Sequence, residues 1–127
     1  MKTRKMITLM ATTVMMTLSA NCNVFASSLV YNAEEGIGIE VELPRARTTS
    51  TIEGDKVSVA GGKLWVTWKD GVKFRANYDH SSKTHRCSVT NDHQTRMRSE
   101  WTPKGITAVS PWLDQTLTNN RAYAATK

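Results

Sequence analysis

The chain has two cysteines in 127 residues, and only Cys87 lies beyond the first 26, so an internal disulfide framework is excluded. Repeats and coiled-coil periodicity are also missing, which excludes a solenoid or a long helical rod. His80, His85, Cys87 and His93 are the candidate metal ligands, but their spacing matches no common zinc signature, and no metal site or cofactor is expected. A Cys87 nucleophile with His85 or His93 as base lacks a third orienting residue, so no catalytic group and no enzyme is expected either. The uncharged run from Met6 to Leu18 falls short of the ~20 apolar residues that cross a bilayer, which argues against a retained membrane anchor.

That run instead completes a different pattern. Lys2, Arg4 and Lys5 precede it, and Val24-Phe25-Ala26 follows, the layout of a secretory signal peptide cut after Ala26. Residues 1–26 are therefore expected to leave and the rest to be secreted. Cys22 is preceded by Asn21, where a lipidation signal has a small residue, so lipidation is not expected. What remains is enough for one small domain and too little for two. Cys87 is then a lone thiol, which can be buried, react, or join two chains into a homodimer.

Basic residues outnumber acidic ones, 17 to 11, and the excess is unevenly placed. Residues 27–55 hold Glu34, Glu35, Glu40, Glu42, Glu53 and Asp55 against Arg45 and Arg47, whereas residues 56–127 are strongly basic. A basic portion of this kind is drawn to anionic surfaces such as phospholipid headgroups, pyrophosphates or teichoic acids. Secretion makes nucleic acid an unexpected partner.

Strand signals dominate the chain after the signal peptide. Ile37, Ile39, Val41 and Leu43 alternate until Pro44, Arg45 to Glu53 reads as a linker or loop, and Val57 and Val59 form a short strand closed by Gly61-Gly62. Residues 27–62 are read as an acidic leader. From Lys63 the alternation is firmer: Leu64, Val66 and Trp68, then Asp70-Gly71 as a two-residue hairpin turn, then Val72, Phe74, Ala76 and Tyr78 opposite a basic, polar face. A third strand from Thr84 to Asn91 puts His85, Cys87 and Val89 on one face and is expected to complete a three-stranded meander. Ile106 to Val109 reads as a fourth strand and Arg121 to Ala125 as a terminal edge strand, while Pro111 to Leu117 is compatible with a strand or a short helix. The expected fold is all-β, a small antiparallel β-sandwich spanning residues 63–127 after the signal peptide and leader.

Between the second and third strands lies the polar turn His80-Ser81-Ser82-Lys83-Thr84-His85. Around it, Trp65, Gly71, Asn77, Tyr78, His80, Ser82, Lys83, Thr84, His85, Ser88 and Val89 stand in an order and spacing that resembles the lactococcin 972 family of secreted bacteriocins, over roughly Gly61 to Tyr123. The resemblance implies a β-sandwich that inhibits related Gram-positive bacteria at the target cell's membrane surface, by binding the wall precursor lipid II and blocking septum formation. Lipid II exposes a pyrophosphate, sugars and a peptide. Lys83, Arg86 and Lys73 are then expected on phosphate oxygens, Ser82, Thr84, Asn77, His80 and His85 on sugar or peptide groups, and Trp65 and Tyr78 stacked on sugar rings. A non-killing secreted envelope-binding or adhesion module is the competing expectation, with another anionic envelope component as ligand.

Overall fold

The computed structural model describes residues 29–43 and 51–127. The expected signal peptide, its cleavage after Ala26 and most of the Arg45–Glu53 linker lie outside the described residues.

Two antiparallel sheets pack face to face, and no helix occurs among the described residues. The first sheet runs β1 (Leu29–Asn32), β2 (Gly36–Glu40), β11 (Arg121–Thr126), β7 (His85–Thr90) and β8 (Arg96–Arg98). The second is built on a central hairpin of β5 (Gly62–Lys69) and β6 (Lys73–Asp79). Its outer edges are short: β3 (Thr51–Glu53) and β4 (Val57–Val59) both pair with β5, and β9 (Ala108–Val109) and β10 (Leu113–Asp114) both pair with β6.

The hairpin forms where the alternation and the turn chemistry agree. Asp70 and Gly71 both adopt positive φ, 54° and 69°, but the turn is one residue longer than the expected two: Lys69 pairs with Lys73, and Val72, expected inward, lies in the turn and is exposed. Alternate side chains then fall into one core: Leu64 and Val66 from β5, Phe74, Ala76 and Tyr78 from β6, against Cys87 and Val89 of β7 and Ala122 and Ala124 of β11.

The expected three-stranded meander is not what forms. β7 leaves the hairpin and pairs with β11 and β8 in the opposite sheet, because β9 and β10 occupy the outer edge of β6. The inward set His85, Cys87 and Val89 is as expected, and all three are buried. The terminal strand is likewise not an edge: β11 lies between β2 and β7. Its small inward residues Ala122 and Ala124 let it sit at the centre of a tightly packed sheet. Thr51–Glu53, expected in a linker, is a strand on β5, β8 has no counterpart in the expected strands, and the undecided Pro111–Leu117 segment supplies β10.

The acidic segment is woven into both sheets. β1 and β2 extend the first sheet from β11, Ile39 and Val41 enter the core, and β3 and β4 close the second. The sandwich therefore starts well before residue 63.

Candidate functional site

The residues around the 80–85 turn divide into two groups. Tyr78 is fully buried, and its hydroxyl donates to the Val59 carbonyl at 2.6 Å. His80 is nearly buried; its Nδ1 accepts from the backbone N–H groups of Ser82 and Lys83 at 3.2 and 3.1 Å, which leaves Nε2 to donate to the Ala60 carbonyl at 3.2 Å. His85 is fully buried between two carbonyls, Nδ1 at 2.8 Å from Lys83 O and Nε2 at 2.7 Å from Ile106 O. A neutral ring donates to one of these and an imidazolium to both. The three rings pack edge to face or tilted, with centroids 5.6 to 6.2 Å apart. These side chains hold the turn in place and offer no polar atom to a ligand. Ser82 and Lys83 are exposed and Thr84 half-buried at the end of the sandwich.

The other expected ligand residues sit on opposite outer faces. Arg86 projects from the first sheet, its guanidinium over the Trp101 ring at 4.5 Å beside Lys127 at 4.6 Å, with Nη2 donating to the Glu34 carbonyl at 3.2 Å. Trp65 and Asn77 lie on the outer face of the second sheet, paired across the hairpin. Trp65 Nε1 donates to Glu53 Oε1 at 3.3 Å, and the Asn77 amide donates to Thr67 Oγ1 at 2.9 Å and Trp65 O at 3.3 Å. The structure thus does not gather the ten expected ligand residues into one site.

What it does gather is a cationic, aromatic face on the second sheet. Strand parity directs Lys63, Trp65, Thr67 and Lys69 of β5 to the outer side beside Lys73, Arg75, Asn77 and Asp79 of β6, but Trp65, Thr67 and Asn77 are buried there beneath their neighbours, so the charged side chains form the accessible surface. Lys56 Nζ lies 4.4 Å from the Trp65 ring centre. Trp112, just before β10, receives Arg75 at 4.3 Å and Lys69 at 5.6 Å on its ring. Cations placed over indole faces are attracted by the ring quadrupole, which fixes where the charge stands.

The acids on this face are already engaged. Glu53 accepts from Trp65 and Thr67, Asp79 accepts from Thr107 Oγ1 at 2.5 Å, and Asp114 pairs with Lys73 at 2.5 Å. Lys56, Lys63, Lys69 and Arg75 form no ion pair among the described residues.

On the first sheet the acidic segment neutralises Arg96, Arg98 and Arg121. Arg96 contacts Glu34 and Glu35 at 2.9 and 3.0 Å, Arg98 pairs with Glu35, and Arg121 meets Glu40 at 2.8 Å. Arg86 and Lys127, both over the Trp101 ring, form no ion pair among the described residues, so the second sheet holds the larger cluster of unpaired cations and the first sheet a smaller one. The basic side of β6 was visible in the sequence from its alternation, but Trp112 and Lys56 were not, because each reaches the face from a short edge segment without periodicity.

Cys87 is 1% exposed, and its Sγ lies 3.3 Å from Ala76 O and 3.4 Å from Ala108 O. Burial, against weaker opposing bonds from Ser99 and Ser110, pushes its thiol up to about 12. It is a core side chain, and bridging two copies through it requires β7 to open. Among the described residues, no group of three or more His, Cys, Asp or Glu side chains is arranged to hold a metal ion.

No protein-family model, curated protein or solved structure matches the chain. The fold and the face define an all-β sandwich carrying a preorganised cationic, aromatic surface.

Proposed function

We propose that this protein is a secreted, non-enzymatic binder of an anionic cell-envelope component, with the outer face of the second sheet as its contact surface. The observation that carries the reading is the set of Lys56, Lys63, Lys69 and Arg75, which form no ion pair among the described residues and stand around the half-buried Trp112 and over the buried Trp65. Each basic residue near an anionic surface contributes about 1 kcal/mol; with Glu53 and Asp79, whose partners are neutral, set against the four cations, the face contributes about 2 kcal/mol, roughly thirtyfold in affinity. Lipid II combines a pyrophosphate for these cations with sugars for the half-buried Trp112 ring. Taken with the resemblance to the lactococcin 972 family, this makes the protein a bacteriocin that inhibits related Gram-positive bacteria by blocking septum formation.

The burial of Tyr78, His80 and His85 favours a second reading. Those residues carry much of the resemblance, and a sandwich without killing activity would keep them for packing alone. That protein is a non-killing envelope-binding or adhesion module. Growth inhibition of related Gram-positive strains by the purified secreted chain, with added lipid II as competitor, separates the two. Inhibition relieved by lipid II supports the bacteriocin; binding to cell envelopes without inhibition supports the module.

A further inference from the structure

A groove of about 800 Å³ opens on the outer surface of the first sheet, away from the cationic face. Its floor includes Thr90 of β7 and Tyr123 of β11. Tyr123 packs down beside Gly38 on β2, where an added Cβ would stand 2.6 Å from the Tyr123 Cδ1 atom. Gln94 and Asn119 come from the loops at the rim, and Arg96 and Arg121 from the strands.

Pockets that hold small ligands span roughly 300 to 1,000 Å³ and are ordinarily lined by apolar side chains. This one has the volume, yet no aliphatic residue lines it. An acyl chain or other apolar ligand is poorly matched to such walls.

A strongly charged ligand is poorly matched as well. Arg96 is neutralised by Glu34 and Glu35, and Arg121 by Glu40. Asn91 and Asn119 are occupied as well, which leaves the Thr90 hydroxyl, the Gln94 amide and the guanidinium N–H groups that face away from the carboxylates. Vicinal hydroxyls, each able to donate and accept, complement that set.

The rim is held before any ligand arrives. Asn91 Oδ1 accepts from the backbone N–H groups of His93 and Thr95 at 3.1 and 3.3 Å, its amide donates to the Asp114 carbonyl at 3.1 Å, and Asn119 Nδ2 donates to Asp92 Oδ1 at 2.7 Å. Preorganisation of this kind lowers the ordering cost of binding.

We infer that this groove is a second binding site, for an uncharged oligosaccharide, independent of the cationic face. The test titrates the folded secreted chain with maltotriose and with the trisaccharide of N-acetylglucosamine, following backbone amide resonances. The expected result is saturable shifts at Thr90, Gln94, Arg96 and Tyr123 with at least one of the two sugars. Combining Thr90→Val with Gln94→Ala weakens binding by roughly tenfold, the loss of two hydrogen bonds, while Arg75→Ala on the opposite face leaves it unchanged. Shifts confined to the Trp65 and Trp112 face, or none with either sugar at millimolar concentration in a folded protein, overturn the inference. Because the Arg75→Ala arm reports only on the cationic face, failure here is distinguishable from failure of the anion-binding reading.

Discussion

Glu35 lies beneath Arg98, 63 residues further along the chain, with the guanidinium Nε donating to Oε1 at 2.9 Å. The Glu35 side chain is 1% exposed, whereas Arg98 retains 30%. Burial pushes the Glu35 carboxyl upward, but hydrogen bonds from Arg98 and Ser88 and the charges of Arg98 and Arg96 outweigh it and hold the group below the ordinary value of 4.5. A carboxylate with a depressed folded-state pKa contributes stability that is fully present above its unfolded value and is lost as pH falls through the folded one.

Replacing Glu35 with Gln removes that contribution. We expect a loss of about 2 kcal/mol at neutral pH, toward the low side for a buried pair because Arg98 can rehydrate. Urea midpoints measured from pH 7 down to pH 3 should converge for the two proteins in acid, since the wild type alone loses the ion pair there.

The 80–85 turn is predicted to act on stability. Tyr78→Phe strands the Val59 carbonyl and should cost about 1 to 2 kcal/mol. His85→Ala removes a fully buried ring and its bonds to two carbonyls and should cost about 3 kcal/mol. Denaturation curves give both numbers. Binding to envelope preparations, measured below each variant's transition, should stay within about threefold of wild type.

Cys87 should be inert in the native state. A thiol pushed up to about 12 in the core is neither ionised nor reachable at pH 8. Ellman's reagent should label it only after denaturation, and a non-reducing gel of native protein should show monomer. Rapid labelling of the folded chain would place Cys87 at the surface instead.

Beginning the chain at Gly61 should prevent folding. That cut removes β1 to β4, leaves β11 with an open edge and strips Ile39, Val41 and Val59 from the core. It also deletes the acids that pair with Arg96, Arg98 and Arg121. We expect poor amide dispersion and binding of a hydrophobic dye, whereas a chain beginning at Ser27 gives a dispersed spectrum.

The central hairpin was legible in the sequence because both of its signals are local. Leu64, Val66, Phe74, Ala76 and Tyr78 repeat with period two, and Asp70-Gly71 supplies the turn geometry. The sheet that receives β7 was not legible, since it depends on pairing Ser88 with Tyr123 and Thr90 with Arg121, far along the chain. β8, β9 and β10 are two or three residues long, too short for alternation to register. For the candidate face, strand parity exposed Lys69 and Arg75, but nothing near Trp112 signals that it will meet them. In the sequence the histidines stand as polar residues of a turn, and only the structure places two carbonyls around His85 and a carbonyl with two backbone N–H groups around His80.

The central claim is that the second sheet's outer face binds the anionic ligand and that the histidine turn only frames the sandwich. The most direct measurement is the affinity of the folded chain for vesicles containing lipid II, comparing wild type, a Lys69→Glu and Arg75→Glu double variant, and Lys83→Ala. The charge reversal should weaken binding by about a hundredfold or more, from about 1 kcal/mol for each unit of charge changed, with its thermal midpoint preserved and Lys83→Ala close to wild type. Wild-type affinity in the charge-reversed protein, or a collapse of binding in Lys83→Ala, would contradict that claim.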